Sequence, residues 1–318
     1  MTLADQILRG NPRSIARLIS MVEDEDPRAY PELQIIYPRS GSARVIGITG
    51  PAGAGKSSLI SILTGELHRR GDPIGILAVD PSSPFSGGAL LGDRIRMREH
   101  LGNPHIFIRS LAARGGVGAI AGVLPQAIRI LEAAGFTTIL VETAGAGQDE
   151  VGILDLAGVV LVVLAPGAGD EIQALKAGLL EIGDLFVLNK SDRPDYQLLE
   201  EQFLQSGFEP ALLERISVQK KEGIARLARR INSLFASKDK KEIRRRFCRW
   251  ELLHHFERSL VKTGLASITP DLLDRLVRKI ALHQSDPYVL CEQMIQRLFP
   301  RSGGRDSAES RERRARQT

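Results

Sequence analysis

The chain has 318 residues, enough for one large or two modest domains, and 43% of them are hydrophobic, which excludes wholesale disorder. Its two cysteines, Cys248 and Cys291, stand far apart with no CxxC or His spacing, which excludes a disulfide framework and a cysteine zinc site and fits a reducing compartment. The net charge of +5 is concentrated: Lys238, Lys240, Lys241, Arg244, Arg245, Arg246 and Arg249 outweigh Asp239 and Glu242, and residues 301–318 hold six Arg against three acids. Without interleaved aromatics this reads as a solvated helix face and a disordered basic tail, so no nucleic-acid partner is expected.

Met1–Gly10 lacks the apolar run of a secretory signal. Leu3, Ile7, Leu8, Ile15, Leu18 and Ile19 recur at helical spacing over Met1–Val22, ahead of the acidic run Glu23–Asp26. From Ala43 onward, short apolar runs alternate with helical ones. Strands are predicted at Arg44–Thr49, Ile74–Val79, His105–Arg109, Thr137–Glu142, Val159–Leu164, Leu185–Leu188 and, more weakly, Leu213–Ser217. Helices are predicted at Lys56–Arg70, Ala119–Ala134, Glu171–Glu181, Tyr196–Gln205 and Gly223–Leu234. Several strands are apolar almost throughout, as strands covered on both faces are, so the expected fold is α/β with a mainly parallel sheet and right-handed crossovers.

After Ser237 the strand signal stops. Ile243–Val261, Pro270–His283 and Pro287–Leu298 read as helices, the second opened by Thr269-Pro270-Asp271 as cap, first-turn proline and acidic residue. The longest apolar run, Val159–Ala165, falls far short of the ~20 residues of a membrane span, so a cytoplasmic chain with no membrane partner is expected. Four segments result: a helical extension (1–40), a nucleotide-binding domain (41–237), a helical region (238–300) and the basic tail (301–318).

Three motifs carry chemistry. The first is G-x-x-x-x-G-K-[ST], formed by Gly50, Pro51, Ala52, Gly53, Ala54, Gly55, Lys56 and Ser57 and followed by Ser58, between a predicted strand and a helix. Its glycines let backbone N–H groups turn onto phosphate oxygens, and the helix N-terminus adds favourable potential. Lys56 reaches the β- and γ-phosphates, and the Ser57 hydroxyl suits Mg²⁺. The second is Asn189-Lys190-Ser191-Asp192 at the end of an apolar strand. Its Asp192 carboxylate can accept from the N1–H and exocyclic amine that guanine presents and adenine lacks. The third is a set of carboxylates, Asp80, Asp93 and Glu142; two of them end predicted strands, where they face a nucleotide crevice and can hold a hard cation. Taken singly, each carboxylate could equally serve as a cap or turn residue.

At these residues the sequence resembles the methylmalonyl-CoA mutase-associated GTPases, the MeaB/ArgK-type G-protein chaperones of adenosylcobalamin-dependent acyl-CoA mutases. The likeness rests on Gly50–Ser58, the Asp80-Pro-Ser-Ser stretch, Gly87–Met97 around Asp93, Glu142-Thr-Ala-Gly-Ala-Gly-Gln148, Pro166–Gln173 and Asn189–Asp192, in that order. It is dense over about residues 10–235, and general in character beyond. Glu142 stands where most GTPases carry the Asp of D-x-x-G, which makes the match specific.

The resemblance implies a SIMIBI-type P-loop G domain flanked by N- and C-terminal helical extensions. It implies GTP or GDP as ligand, Mg²⁺ on Ser57 with Asp80 and Asp93, and no cobalamin bound by this chain itself. Glu142 would belong to a mobile switch, and Lys176 to a further switch that answers to the partner. Ser217, Val218 and Gln219 would form the last base-contacting loop, where Val218 replaces the usual Ala. The partner would be an acyl-CoA mutase, most simply methylmalonyl-CoA mutase, whose cofactor loading the GTPase gates and which it protects, and family members dimerise through C-terminal helices. Ala144 and Ala146 stand where Val is usual, and Gln219-Lys-Lys replaces a more typical turn, which leaves the edge of the base loop open.

The water-orienting glutamine of Ras-like enzymes is absent from its usual place, held here by Ala146, and Gln148 could substitute only if the switch reorganises. Lys56, Glu142, Gln148 and Lys176 are therefore the catalytic candidates, with slow intrinsic hydrolysis expected. Two alternatives stand beside this reading: a P-loop kinase of a small-molecule acceptor, which N-K-x-D disfavours, and a nickel-type metallochaperone GTPase. The second would call for a His-rich store, whereas His68, His100, His105, His254, His255 and His283 are scattered.

Overall fold

The computed structural model describes residues 1–69, 71–80, 102–112, 119–143, 155–167, 183–205, 207 and 209–298. Its described strands are β1 (Arg44–Thr49), β2 (Ile74–Asp80), β3 (Ile106–Ala112), β4 (Thr138–Thr143), β5 (Val159–Leu164), β6 (Leu185–Leu188) and β7 (Leu213–Arg215). They form one sheet in the order β3-β2-β4-β1-β5-β6-β7, and each pairing is parallel. The described α-helices are α1 (Leu3–Ile7), α2 (Pro12–Glu23), α3 (Ala29–Ile36), α4 (Lys56–His68), α5 (Ala119–Ala133), α6 (Tyr196–Gln205), α7 (Ile224–Ser237), α8 (Lys240–Ala266), α9 (Pro270–Ala281) and α10 (Pro287–Leu298). Among the described residues no helix is long and apolar enough to cross a membrane.

The continuous apolar strands are explained by burial on two sides. Ile46, Ile48, Leu140, Leu161 and Val163 pack with Leu59, Leu63 of α4 and Leu227, Ile231 of α7. The alternate positions Val45, Ile139, Val141, Val160 and Val162 face the other way, toward Ile15, Leu18 and Ile19 of α2 and Leu124, Ile128 and Leu131 of α5. A strand with period-2 side chains and helices on both faces has no polar side to show. Glu23 of α2 pairs with Arg109 of β3, whose guanidinium also donates to Ser20 at 3.0 Å, so the N-terminal helices are tied to the sheet by charge as well as by packing.

Most element bounds shift by a few residues from the sequence reading, as β3 and α8 do at both ends, and three differences are larger in kind. The stretch Met1–Val22 is two helices, because Gly10 takes φ 75° and the Asn11 side chain accepts from the N–H groups of Arg13 and Ser14, with Pro12 at the first helical position. The helix α3 was not read at all. The last strand stops at Arg215 instead of Ser217, and Ser217 forms an isolated antiparallel bridge with Glu222. The predicted helix Glu171–Glu181 and the tail 301–318 lie outside the described residues.

The chain divides into two compact units, Met1–His254 and the part from His255 onward. In the second unit, the Thr269 side chain caps α9 and Pro270 opens it, as the sequence indicates. None of the residues of α9 is buried, and Phe256, Val261, Leu265, Leu273, Val277 and Ile295 are all exposed.

Candidate nucleotide site

β1 sits between β4 and β5, so the chain's connections diverge to either side of its C-terminal end. In open parallel sheets a crevice at such a switch point receives the ligand. The loop Gly50–Gly55 leaves β1 there and runs into α4, whose N-cap is Gly55 with φ 93°. Two of its glycines are required by space as well as by conformation. A Cβ on Gly50 (φ 138°) would stand 2.0 Å from the Val163 carbonyl oxygen of β5, and one on Gly55 would stand 2.4 Å from Nδ2 of Asn189. Lys56 is buried, and its Nζ donates to the carbonyls of Gly50 and Pro51 at 2.8 and 3.1 Å, so the ammonium is folded over the loop. Ser57 is also buried, and its hydroxyl donates to Oε1 of Glu142 at 2.6 Å. Ala52, Gly53 and Ser58 are exposed along the same turn.

The segment after β6 is bonded to this loop. Asn189 is 2% exposed, and its Nδ2 donates to the Ala54 carbonyl at 2.9 Å. Lys190, at φ 60°, donates from Nζ to the Gly53 carbonyl at 3.0 Å. The Asn189 side-chain oxygen accepts from the N–H groups of Lys190 and Val218 at 2.7 and 3.2 Å, joining a third loop. That loop is fixed in turn by Asp192, whose carboxylate accepts from the Ser217 hydroxyl at 2.5 Å. This bond, helped by the backbone and by Lys220 and Arg193, holds the Asp192 carboxyl below its usual range, so it is ionised at neutral pH. Ser217 Oγ accepts from the Lys220 N–H, and Lys221 closes a turn onto the Val218 carbonyl with φ 58°. The Gln219-Lys-Lys stretch that left the loop edge open is thus a tight turn, with Gln219 exposed at its tip.

Of the expected site residues, the structure brings together Gly50–Ser57, Glu142, Asn189, Lys190, Asp192, Ser217 and Val218. The backbone of Asp80 closes β2, opposite Ala112 of β3 and two residues beyond the register partner of Glu142 on β4. Asp93, Gln148 and Lys176 lie outside the described residues. For a divalent cation, the donors present are a serine hydroxyl and a carboxylate in contact, an all-oxygen pair that fits Mg²⁺ and not a soft metal. Among the described residues no group of three or more His, Cys, Asp or Glu side chains is placed to hold a metal. The bracing role of Asn189 was not read from the sequence: its bond to Ala54 spans 135 positions, and N-K-x-D spacing says nothing about what the asparagine amide touches.

Comparison with known proteins shows the family. Residues 15–262 match the family model described as methylmalonyl-CoA mutase-associated GTPase MeaB. A protein of Pyrococcus abyssi that carries a provisional GTPase name is 37% identical over 312 residues, covering 93% of this chain and 96% of its own. A mitochondrial methylmalonic aciduria type A homolog of Caenorhabditis elegans is 36% identical over 176 residues, 55% of this chain and 43% of that protein. A crystal structure titled LAO/AO transport system kinase matches 93% of this chain and 96% of its own at 22% identity with a TM-score of 0.67, a likeness of fold.

Proposed function

Because the chain belongs to the methylmalonyl-CoA mutase-associated GTPase family, we propose that it hydrolyses GTP as a chaperone of an adenosylcobalamin-dependent acyl-CoA mutase, gating cofactor loading and protecting that enzyme. The observation that carries this reading is the bonding of Asn189 and Lys190 to Ala54 and Gly53. It ties the phosphate loop to the base loop, so that one guanine nucleotide spans both.

In this reading the N–H groups of the Gly50–Gly55 loop and the α4 N-terminus take the phosphates. Lys56 exchanges two carbonyl partners for β- and γ-phosphate oxygens, stronger acceptors for an ammonium because they are anionic. Ser57, Asp80 and Asp93 would hold Mg²⁺, which when bound neutralises charge on the β/γ oxygens. The Ser57 oxygen can take the cation on a lone pair while its hydroxyl still donates to Glu142, so cation binding would be felt at the end of β4. Gln148 and Lys176 would orient water and steady the γ-phosphate once the partner has placed their segments. Asp192 reads the base edge, with Ser217 fixing its carboxylate and Val218 supplying backbone to the base. This chain would bind no cobalamin itself.

The exposed pairs Val261/Leu265 and Leu273/Val277, each four residues apart on one helix face, support a homodimer built on the C-terminal helices. The free cysteines Cys248 and Cys291 support a reducing, cytoplasmic setting. The kinase alternative is separated by one experiment: following the γ-phosphate of labelled GTP. Release as inorganic phosphate with no phosphorylated acceptor is the expected outcome, and transfer to an added small molecule would overturn it.

A further inference from the structure

Behind the base loop, on the wall that carries Ser191, lies a cavity of about 670 Å³ between the start of α6, the end of β7 and the start of α7. That size belongs to small-molecule pockets. Its walls are rich in donors, alongside the carboxylates of Glu200 and Glu222. Arg193, Arg215 and Arg226 all line it, and each guanidinium is about half exposed. Gly223, also on the wall, is the N-cap of the 14-residue helix α7 and supplies no side-chain cap, so the first N–H groups of that helix lack an intrahelical acceptor.

The deepest wall residue is Tyr196, 6% exposed. Its hydroxyl is buried within reach of the Arg215 guanidinium, which is a donor, and its own proton has no acceptor, with Glu200 and Arg226 close by. Burial, followed by the Glu200 charge, pushes its pKa up to about 12, so it stays a protonated donor. A buried hydroxyl whose proton has no acceptor is costly and calls for one from outside.

We propose that this cavity is a second anion site, distinct from the nucleotide crevice, that takes the phosphate group of a small molecule. A tetrahedral phosphate accepts from several directions at once, which suits guanidiniums, a helix N-terminus and a phenol arranged on different walls. The arginines are held meanwhile by Asp195, Glu200 and Glu214, pairs that are weak because one member is well exposed to water. Exchanging such a partner for a phosphate costs little. Glu200 and Glu222 on the wall limit the affinity and favour a ligand whose remaining body is uncharged or cationic.

The test uses the full chain saturated with GDP, which keeps the phosphate loop filled, and titrates inorganic phosphate and ribose 5-phosphate separately by calorimetry. Saturable binding is expected, weakened about tenfold by Arg226→Met and about fivefold by Tyr196→Phe, with the Kd for GDP within twofold of the parent. Arg226 is exposed and bonds to Glu214 and to the Arg215 carbonyl on the surface, and Tyr196→Phe keeps the ring, so both variants should fold. Tighter binding of the ester would identify a metabolite as the source, and equal binding the free ion; either supports the site. Absence of saturable binding, or affinities unchanged in both variants, would overturn the proposal.

Discussion

On the proposed reading, two side chains decide what the crevice recognises. Lys56 is a point charge held over the phosphate loop by two carbonyls, so Lys56→Ala should lower GTP affinity by at least about a hundredfold. Equilibrium dialysis would show it. For Asp192, the carboxylate is already ionised and aligned by Ser217. Asp192→Asn presents an amide mismatched to the N1–H and amine of guanine, and the GTP Kd should rise by about a hundredfold or more. Xanthine offers a carbonyl where guanine has the amine, so the variant should prefer XTP while ATP stays poor for both. Retained GTP preference would show that Asp192 does not read the base. The pH dependence follows from the sign of the shift: the folded-state pKa lies below 3.8, so the ionised form persists above it and is lost only as pH falls through that lower value. Discrimination between GDP and ADP should therefore be the same at pH 8 and pH 5.

At the scale of elements, the N-terminal end of the central strand β1 is held by a clamp around α5. Arg129 of α5 is almost fully buried; it donates from Nε to Glu251 of α8 at 2.7 Å, lies over the Tyr37 ring at 4.6 Å and contacts the Phe247 ring at 5.2 Å. Glu132, one turn on, accepts from the N–H groups of Gly41 and Ala43 at 2.6 and 3.1 Å and so fixes the entry to β1. Glu251→Ala would leave the buried Arg129 guanidinium without its hydrogen-bonded anion, at a cost of about 3 kcal/mol. Thermal unfolding should fall by on the order of 10 °C, with nucleotide affinity unchanged, because the clamp is at the N-terminal edge of β1 and the site at its C-terminal edge.

This clamp was not legible in the sequence, since it joins positions 122 residues apart and its arginine sits in an ordinary helical pattern. The strands were legible for the opposite reason. Runs such as Val159–Leu164 are buried on both faces, so every position carries the signal. The break at Gly10-Asn11-Pro12 obeys capping chemistry but was hidden by apolar spacing that runs straight through it. In the site, the phosphate and base loops were readable because each motif is local. Their mutual bonding was not, because it depends on β1 and β6 flanking β5 in the sheet.

At the scale of the whole molecule, the exposed apolar residues of α8 and α9 should mediate self-association. Leu265→Asp together with Val277→Asp should convert a dimer to a monomer in light scattering while leaving the GDP Kd unchanged; a monomeric parent would refute the dimer. The larger coupling concerns the mutase. If partner binding places the segments around Gln148 and Lys176, then nucleotide state must alter partner affinity by the same factor that the partner alters nucleotide affinity. The most direct measurement is the steady-state rate of GTP hydrolysis with and without a saturating methylmalonyl-CoA mutase. A severalfold or greater rise that disappears in Lys176→Ala is the predicted result, and an unchanged rate together with no detectable complex would contradict the assignment.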